Sequence, residues 1–378
     1  MTVAGAARVP ISNLYMDGQY AATIRVGPGQ KPMNVILDTG SSALALDASK
    51  YSPAAGDHTT KLAQTVGYGL NGVWTGAVIQ TDVSIGGGAG KVTVSGANAA
   101  IAYEMTPKVF GRADGVLGLA YAALDDVRAM PADTWGAKYP SAQVQTGVKT
   151  PMAPYLAQLA HEGVASDVIA FYTRRSDVHH GGGDADPLNQ GWMIVGGGEA
   201  CADLYAGAFQ TVKVLADAWW NTNLKAVVVG DGAAILVAAE GVGPVPSNSI
   251  VDSGNPALTF GPLLLASVLA GFAPAQQAQL KASIAGQAVA AADLDLAAWP
   301  TLGLILEGDG GDVRLSVAPG DYWQVNAPKV GQAKTALSGI GVDGLVVLGL
   351  PLMNGYFTIF DGEADGGRGA IRFATSVR

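Results

Sequence analysis

The sequence predicts a mostly β chain of two related lobes that meet at a pair of carboxylates. Two observations carry that expectation. Short runs of Val, Ile, Leu, Thr and aromatic residues are punctuated by 52 glycines and 19 prolines, a pattern that reads as many short strands joined by turns. One acidic loop, together with the strand that enters it, occurs once in each half of the chain. The expected division is residues 1–195, holding the Asp38 loop, and residues 196–378, holding the Asp252 loop.

Composition agrees with a folded, two-unit chain. Of 378 residues, 49% are hydrophobic and 14% charged, far from the signature of disorder. The formal net charge is −9 and the sequence pI about 4.8. With no basic run, the chain is not expected to bind nucleic acid, which requires a positive face. No apolar run approaches the ~20 residues that span a bilayer, so no membrane association is expected. The single cysteine, Cys201, allows no intrachain disulfide. Residues 1–10 include Arg8 but no basic patch leading into an apolar core, so no signal peptide is read. The expected location is cytoplasmic, or secreted or periplasmic if a leader was trimmed.

The elements follow in order. Tyr20–Val26 alternates, Gly27-Pro-Gly turns, and Met33–Leu37 runs into Asp38, which predicts a β-hairpin. Residues 65–88 predict a second strand pair with Tyr68-Gly-Leu-Asn-Gly at its tip. Tyr155, Leu156, Leu159 and Ala160 stand at helical spacing within residues 152–161. Strands are expected at 168–173 and 192–196. Between them, residues 176–191 with Gly181-Gly-Gly read as a polar, flexible loop. In the second half, strands are expected at 209–215, 222–229, 302–306, 313–317, 345–348 and 356–360. Leu258–Phe272 reads as a helix broken by Gly271, and the alanine-rich residues 273–296 as helical in part.

The repeat is the informative feature. Val35-Ile-Leu-Asp38-Thr-Gly-Ser-Ser recurs in form as Ser249-Ile-Val-Asp252-Ser-Gly-Asn-Pro. A second matched element follows each loop, at Gly115-Val-Leu-Gly118-Leu and Leu345-Val-Val-Leu-Gly349-Leu. Two carboxylates brought close share one proton, because repulsion keeps them from ionising together. One then takes a proton from water while the other polarises a carbonyl, so peptide hydrolysis needs neither metal nor covalent intermediate. The flanking residues suit that task. Thr39 and Ser253 are placed to hydrogen-bond across the junction. Gly40 and Gly254 lack a Cβ, so their N–H groups can approach the carboxylates. Ser41 and Asn255 are expected to supply side-chain donors to the outer oxygens.

These motifs resemble the pepsin family of aspartic proteases. Tyr20–Ser42 looks like its first active-site strand pair and loop, and Tyr68-Gly69-Leu-Asn-Gly-Val-Trp-Thr-Gly like its flap, with Tyr68 at the flap tyrosine. Asp114–Tyr121, Leu348–Asp361 and Ile371–Ala374 resemble its Leu-Gly element and C-terminal strands. The likeness runs from about residue 11 to 374, and the chain looks similar to leaderless, disulfide-free bacterial members. It implies a bilobal pepsin-like fold and an endopeptidase favouring apolar residues and acidic pH. It also implies a monomer without cofactor or metal, peptide or protein substrates, and inhibition by pepstatin-like compounds. Asp38 and Asp252 would be catalytic, Thr39, Gly40, Ser41, Ser253, Gly254 and Asn255 would support them, and Tyr68 and Gly69 would lie over the substrate.

Four departures stand out. Asn255 replaces the usual Thr or Ser, and Pro256 a small residue. Ala45 replaces a tryptophan that supports the flap tyrosine, and Leu350 an acidic residue. Asn255 and Ala45 keep a second reading open, a pepsin-fold binding or inhibitor protein without turnover. Lesser signals have plainer readings. Asp252-Ser253-Gly mimics a serine-nucleophile motif but has no histidine in context. His179 and His180 with Asp177 and Asp184 read as a loop tip rather than a metal site. Asp361, Glu363 and Asp365 read as a hairpin turn rather than a calcium loop. Cys201 reads as a packing residue, and Trp219 and Trp220 as core rather than cleft.

Overall fold

The computed structural model describes residues 6–16, 18–68, 72–183, 185–239 and 241–378. The chain is mostly β, and the repeat read in the sequence is a repeat of topology. In the first half, Lys31–Asp38 runs parallel to Gly115–Gly118, with Asp38 opposite Gly118. Leu44–Asp47 returns antiparallel on the other side of Gly115–Gly118 and lies parallel to Val92–Met105. In the second half, Ser249–Val251 runs parallel to Val346–Leu348. Leu258–Phe260 returns antiparallel to that strand and parallel to Leu337–Gly339.

In each half the acidic loop therefore bends around the end of a strand that finishes in Leu-Gly. The reason for glycine there is steric. A Cβ on Gly118 would stand 2.4 Å from the Ser42 carbonyl carbon, and one on Gly349 would stand 2.1 Å from the Asn255 carbonyl oxygen.

An antiparallel ladder ties the halves together. Ala7–Met16 pairs with Gln190–Val195, which pairs with Val168–Tyr172. Val168–Tyr172 also pairs with Tyr356–Asp361, and that strand with Ala370–Ser376. N-terminal and C-terminal strands thus share one sheet. Alternation supplies its core: Ile169, Phe171, Phe360 and Phe373 point inward and are at most 1% exposed. Each such side chain contributes about 1.5–3 kcal/mol through burial.

The flap hairpin is His58–Gly67 with Val73–Ile85, in register from Gly67↔Val73 onward. Its tip, including Gly69, lies outside the described residues. A ribbon absent from the sequence reading braces its outer strand. Asp126–Ala129 pairs with Val148–Pro151, and Ala63 on the flap strand pairs with Arg128.

Two expectations are corrected. Leu258–Phe272 is not one helix. Leu258–Phe260 is a strand, and the helix is Pro262–Ala270. Proline at the first helical position fixes that start, because it has no N–H to contribute to a preceding turn. The polar segment 176–191 is not a free loop. Ser176, Asp177, Asp186 and Asn189 are buried, and Ser176 and Asp177 bond to Gln324, Asn354, Asn13 and Lys334. Asp184 lies outside the described residues.

Candidate active site

Val35 and Leu37 are fully buried, and they carry Asp38 to the end of its strand with 7% exposure. Val251, also fully buried, leads into Asp252, which is partly exposed. The two loops then clasp each other. The Thr39 N–H donates to the Ser253 hydroxyl (3.0 Å) and the Ser253 N–H to the Thr39 hydroxyl (2.8 Å). Each hydroxyl donates in turn to the carbonyl that precedes the opposite aspartate, Thr39 to Val251 (3.1 Å) and Ser253 to Leu37 (2.9 Å). Four reciprocal bonds between residues more than 200 apart in sequence fix the loops, and both hydroxyls are saturated by them.

The glycines allow the approach. A Cβ on Gly40 would stand 2.7 Å from the Asp252 carboxyl carbon, and one on Gly254 would stand 2.4 Å from an Asp38 oxygen. Without side chains, Gly40 donates its N–H to Asp38 Oδ1 (2.8 Å) and Gly254 to Asp252 Oδ1 (2.7 Å). The two carboxyl groups border the same spot, since a Cβ on Gly254 would stand 2.4 Å from Asp38 Oδ1 and 3.1 Å from Asp252 Oδ1.

The symmetry ends at the outer oxygens. The Ser41 hydroxyl donates to Asp38 Oδ2. Asn255, expected to do the same for Asp252, is turned away. Its amide donates to the Thr259 hydroxyl (3.0 Å) and accepts from the Ala257 N–H (3.3 Å). The longer planar amide reaches past the carboxylate and caps its own turn. This difference sets the titration. Burial raises both carboxyls above the ordinary aspartate range. On Asp38 the Ser41 hydroxyl and the Gly40 N–H oppose burial by favouring the anion. On Asp252 repulsion from Asp38 adds to burial, with only backbone N–H groups in opposition, and its pKa is the more strongly raised. The two carboxyls titrate as one coupled pair.

Tyr68 stands at the flap's end. Burial and the charge of Asp38 raise its pKa, so it is a neutral phenol. Its hydroxyl accepts from the Trp74 indole N–H at 3.1 Å. Trp74 is fully buried and packs in one cluster with Ala45. The tryptophan missing at position 45 is thus supplied from across the flap hairpin, and the small Ala45 leaves room for it. The sequence reading missed this residue. The signal was present in Trp74 itself, a large aromatic one residue beyond the turn of a hairpin whose facing strand needs a support.

Beside the pair lies a cavity of about 300 Å³ bordered by Gly40, Ser41, Tyr68, Leu124, Arg128 and Trp219. The two tryptophans read as core have separate fates. Trp220 is 3% exposed and donates to the Leu119 carbonyl, whereas Trp219 borders the cavity. A wider groove of about 630 Å³ near Gly230, Trp299 and Arg314 shares no lining residue with this cavity.

Other sequence signals fall elsewhere. Ser253 gives its proton to a carbonyl and has no histidine beside it. His179 faces Asp186 through one ring nitrogen and Asn326 through the other. Asp361 accepts from the Glu363 and Ala364 N–H groups and pairs with Arg372, which makes it a hairpin turn.

Comparison with known proteins agrees with this geometry. The family model described as eukaryotic aspartyl protease matches residues 19–374. Cathepsin D of Chionodraco hamatus is 25% identical over 372 residues, covering 93% of this chain and 80% of its own. Gastricsin of Callithrix jacchus is 25% identical over 380 residues, covering 96% and 83%. Cathepsin D of Gallus gallus is 24% identical over 385 residues, covering 96% and 82%.

Proposed function

The chain belongs to the aspartyl protease family, and from that premise we propose that it cleaves peptide bonds with a water molecule activated between Asp38 and Asp252. It is a pepsin-like aspartic endopeptidase acting on peptides or proteins. The observation that supports the dyad is the mutual approach of two carboxyls in mirrored loops, one stabilised as the anion by Ser41 and the other left to carry the proton.

In this reading Asp38 is the general base and Asp252 the general acid. Water adds to the scissile carbonyl carbon as Asp38 takes its proton, and the Asp252 proton passes to the carbonyl oxygen. The resulting diol collapses as one of its hydroxyls returns a proton to Asp252, the C–N bond breaks, and the proton held by Asp38 goes to the departing nitrogen. The loop clasp keeps both groups in place at no reorganisation cost during the reaction. Tyr68, braced by Trp74, covers the substrate from the flap side. Leu124 and Trp219 border the neighbouring cavity and offer a bound substrate apolar contact.

Acid preference follows from the requirement for one proton on the pair. Activity falls at low pH as Asp38 protonates, and at higher pH as Asp252 ionises. The supporting residues proposed are Thr39, Gly40, Ser41, Ser253 and Gly254. Asn255 is assigned to its own turn. We place the boundary between the lobes near residue 195. The companion proposal of a cytoplasmic location rests on the single, half-buried Cys201, and cell fractionation tests it.

The test of function is cleavage of quenched-fluorescent peptides from about pH 3 to about pH 7, with and without pepstatin, alongside Asp38→Ala and Asp252→Ala. Cleavage that pepstatin blocks and either substitution abolishes is expected. Folded protein that cleaves none of a broad peptide set would favour a binding protein without turnover.

A further inference from the structure

We propose that the cavity beside the two aspartates is a specificity subsite for an acidic side chain, glutamate above all, received by the Arg128 guanidinium. The inference rests on the peptidase reading and extends it to substrate class.

The ribbon of Asp126–Ala129 and Val148–Pro151 builds the far wall of this cavity. Residues two apart on a strand share a face, so Asp126 and Arg128 point the same way, and both border the cavity with Gln145. Lys149 lies directly across from Arg128 in the antiparallel register, which puts it on that face as well. This face therefore carries two cations and one carboxylate. The carboxylate is taken, since Asp126 Oδ2 is 2.6 Å from Lys149 Nζ. Arg128 is left with the Gly147 carbonyl at 3.5 Å, the outer limit of a hydrogen bond. Among the described residues no carboxylate pairs with it.

Like Arg174 and Arg175, the half-buried Arg128 has no carboxylate partner among the described residues; unlike them, it borders this cavity. It stands in a cavity that touches Gly40 and Ser41, the residues beside Asp38. The remaining lining is mixed: Ala43, Val66, Leu124, Val144 and Trp219 offer apolar contacts, and Ser42, Thr65 and Tyr68 carry hydroxyls. A side chain bound here has both apolar surface and the planar guanidinium fork of Arg128 to meet. Glutamate suits both, with two methylenes and a carboxylate that can bond the fork in bidentate fashion. A leucine would fill the walls and leave the guanidinium unsatisfied. A lysine would meet like charge.

Binding separates this inference from turnover. Peptides with a reduced, uncleavable scissile amide, carrying Glu, Gln, Leu or Lys at positions flanking the bond, compete against a fluorescent reference at about pH 6, where glutamate is ionised. At one position Glu is expected to bind about 10-fold tighter than Gln. Arg128→Gln is expected to erase that ratio, and Arg128→Glu to transfer the preference to Lys. Thermal unfolding checks both variants. Should they lose the fold, Arg128→Lys carries the test, retaining charge but not the fork, with the ratio falling to about 3-fold. Equal binding of Glu and Gln at every position overturns the inference, as does a preference that survives Arg128→Gln. Cleavable counterparts are scored in parallel. Peptides that bind with the Glu preference yet are never cleaved overturn the peptidase reading and support the subsite. Cleavage without the preference overturns the subsite alone, and absence of binding by every peptide overturns both.

Discussion

Replacing Asp125 with asparagine removes a charge that the fold is forced to bury as pH rises. Asp125 is 1% exposed and sits between the Ala122–Leu124 turn and the ribbon. The Gln64 amide donates to its Oδ1 at 2.8 Å, while Oδ2 is buried with no partner among the described residues. Burial raises its pKa from 3.8 to about 7, opposed by the Gln64 bond and reinforced by Asp126. In the unfolded chain it titrates near the ordinary value. Between those two values the folded state binds the proton more tightly, so its contribution is intact below about pH 4 and is lost as pH rises to about 7. The difference of 3.2 units between 7 and 3.8, at 1.36 kcal/mol per unit, amounts to about 4 kcal/mol.

The asparagine side chain keeps the shape and the Gln64 contact and does not titrate. Urea unfolding of the wild type and Asp125→Asn at about pH 4 and about pH 8 is the assay. Near pH 4 the two should agree within about 1 kcal/mol, and near pH 8 the variant should be more stable by about 4 kcal/mol. In melting temperature that is about 5 °C for a chain of this size. A difference that stays constant across pH would refute the reasoning, because it would mean that the carboxyl is already ionised or solvated in the fold.

Other consequences are as direct. Trp74→Phe removes the indole N–H from Tyr68, and kcat/KM should fall about 5-fold, with Tyr68→Phe adding little in the double variant; independent losses would argue against a shared contact. Ser253→Ala strips a donor from the Leu37 carbonyl and an acceptor from the Thr39 N–H, both buried, and should cost roughly 2–3 kcal/mol in denaturant unfolding. A cost near zero would mean that the clasp is dispensable. Asn255→Ser gives Asp252 a hydroxyl within reach, which favours its anion. The basic limb of the pH–rate profile should move to lower pH, and an unmoved limb would show that the new hydroxyl bonds elsewhere. Asp252→Asn should abolish turnover and also remove a pH-dependent loss. The raised pKa makes the wild type less stable as pH climbs from the ordinary aspartate value through the folded one, so the decline should be smaller in the variant, which keeps the part due to Asp125.

The duplicated design was legible without coordinates because it is local. An apolar strand running into Asp, a hydroxyl residue and Gly, followed later by Leu-Gly, is a short pattern, and two copies in one chain leave few ways to pair. Hence Asp38 and Asp252, the cross-loop partners Thr39 and Ser253, and the glycines could all be named from spacing and residue type. What escaped was set by contacts between distant segments. Asn255 occupies the same loop position as Ser41, yet its longer amide finds Thr259 and Ala257 instead of the carboxylate. Ala45 looked like a lost support until the hairpin folded Trp74 over it. Trp219 and Trp220 are neighbours in sequence, but successive residues faced different surroundings, one the cavity and one the core. The ribbon that brings Arg128 to the cleft pairs it with Ala63, on a flap strand far earlier in the chain, and no periodicity within residues 126–151 announced that partner. Local patterns encode the catalytic loops, because their chemistry needs only a few adjacent residues. Which side chains surround those loops depends on how far-apart strands stack, and only the folded chain decides it.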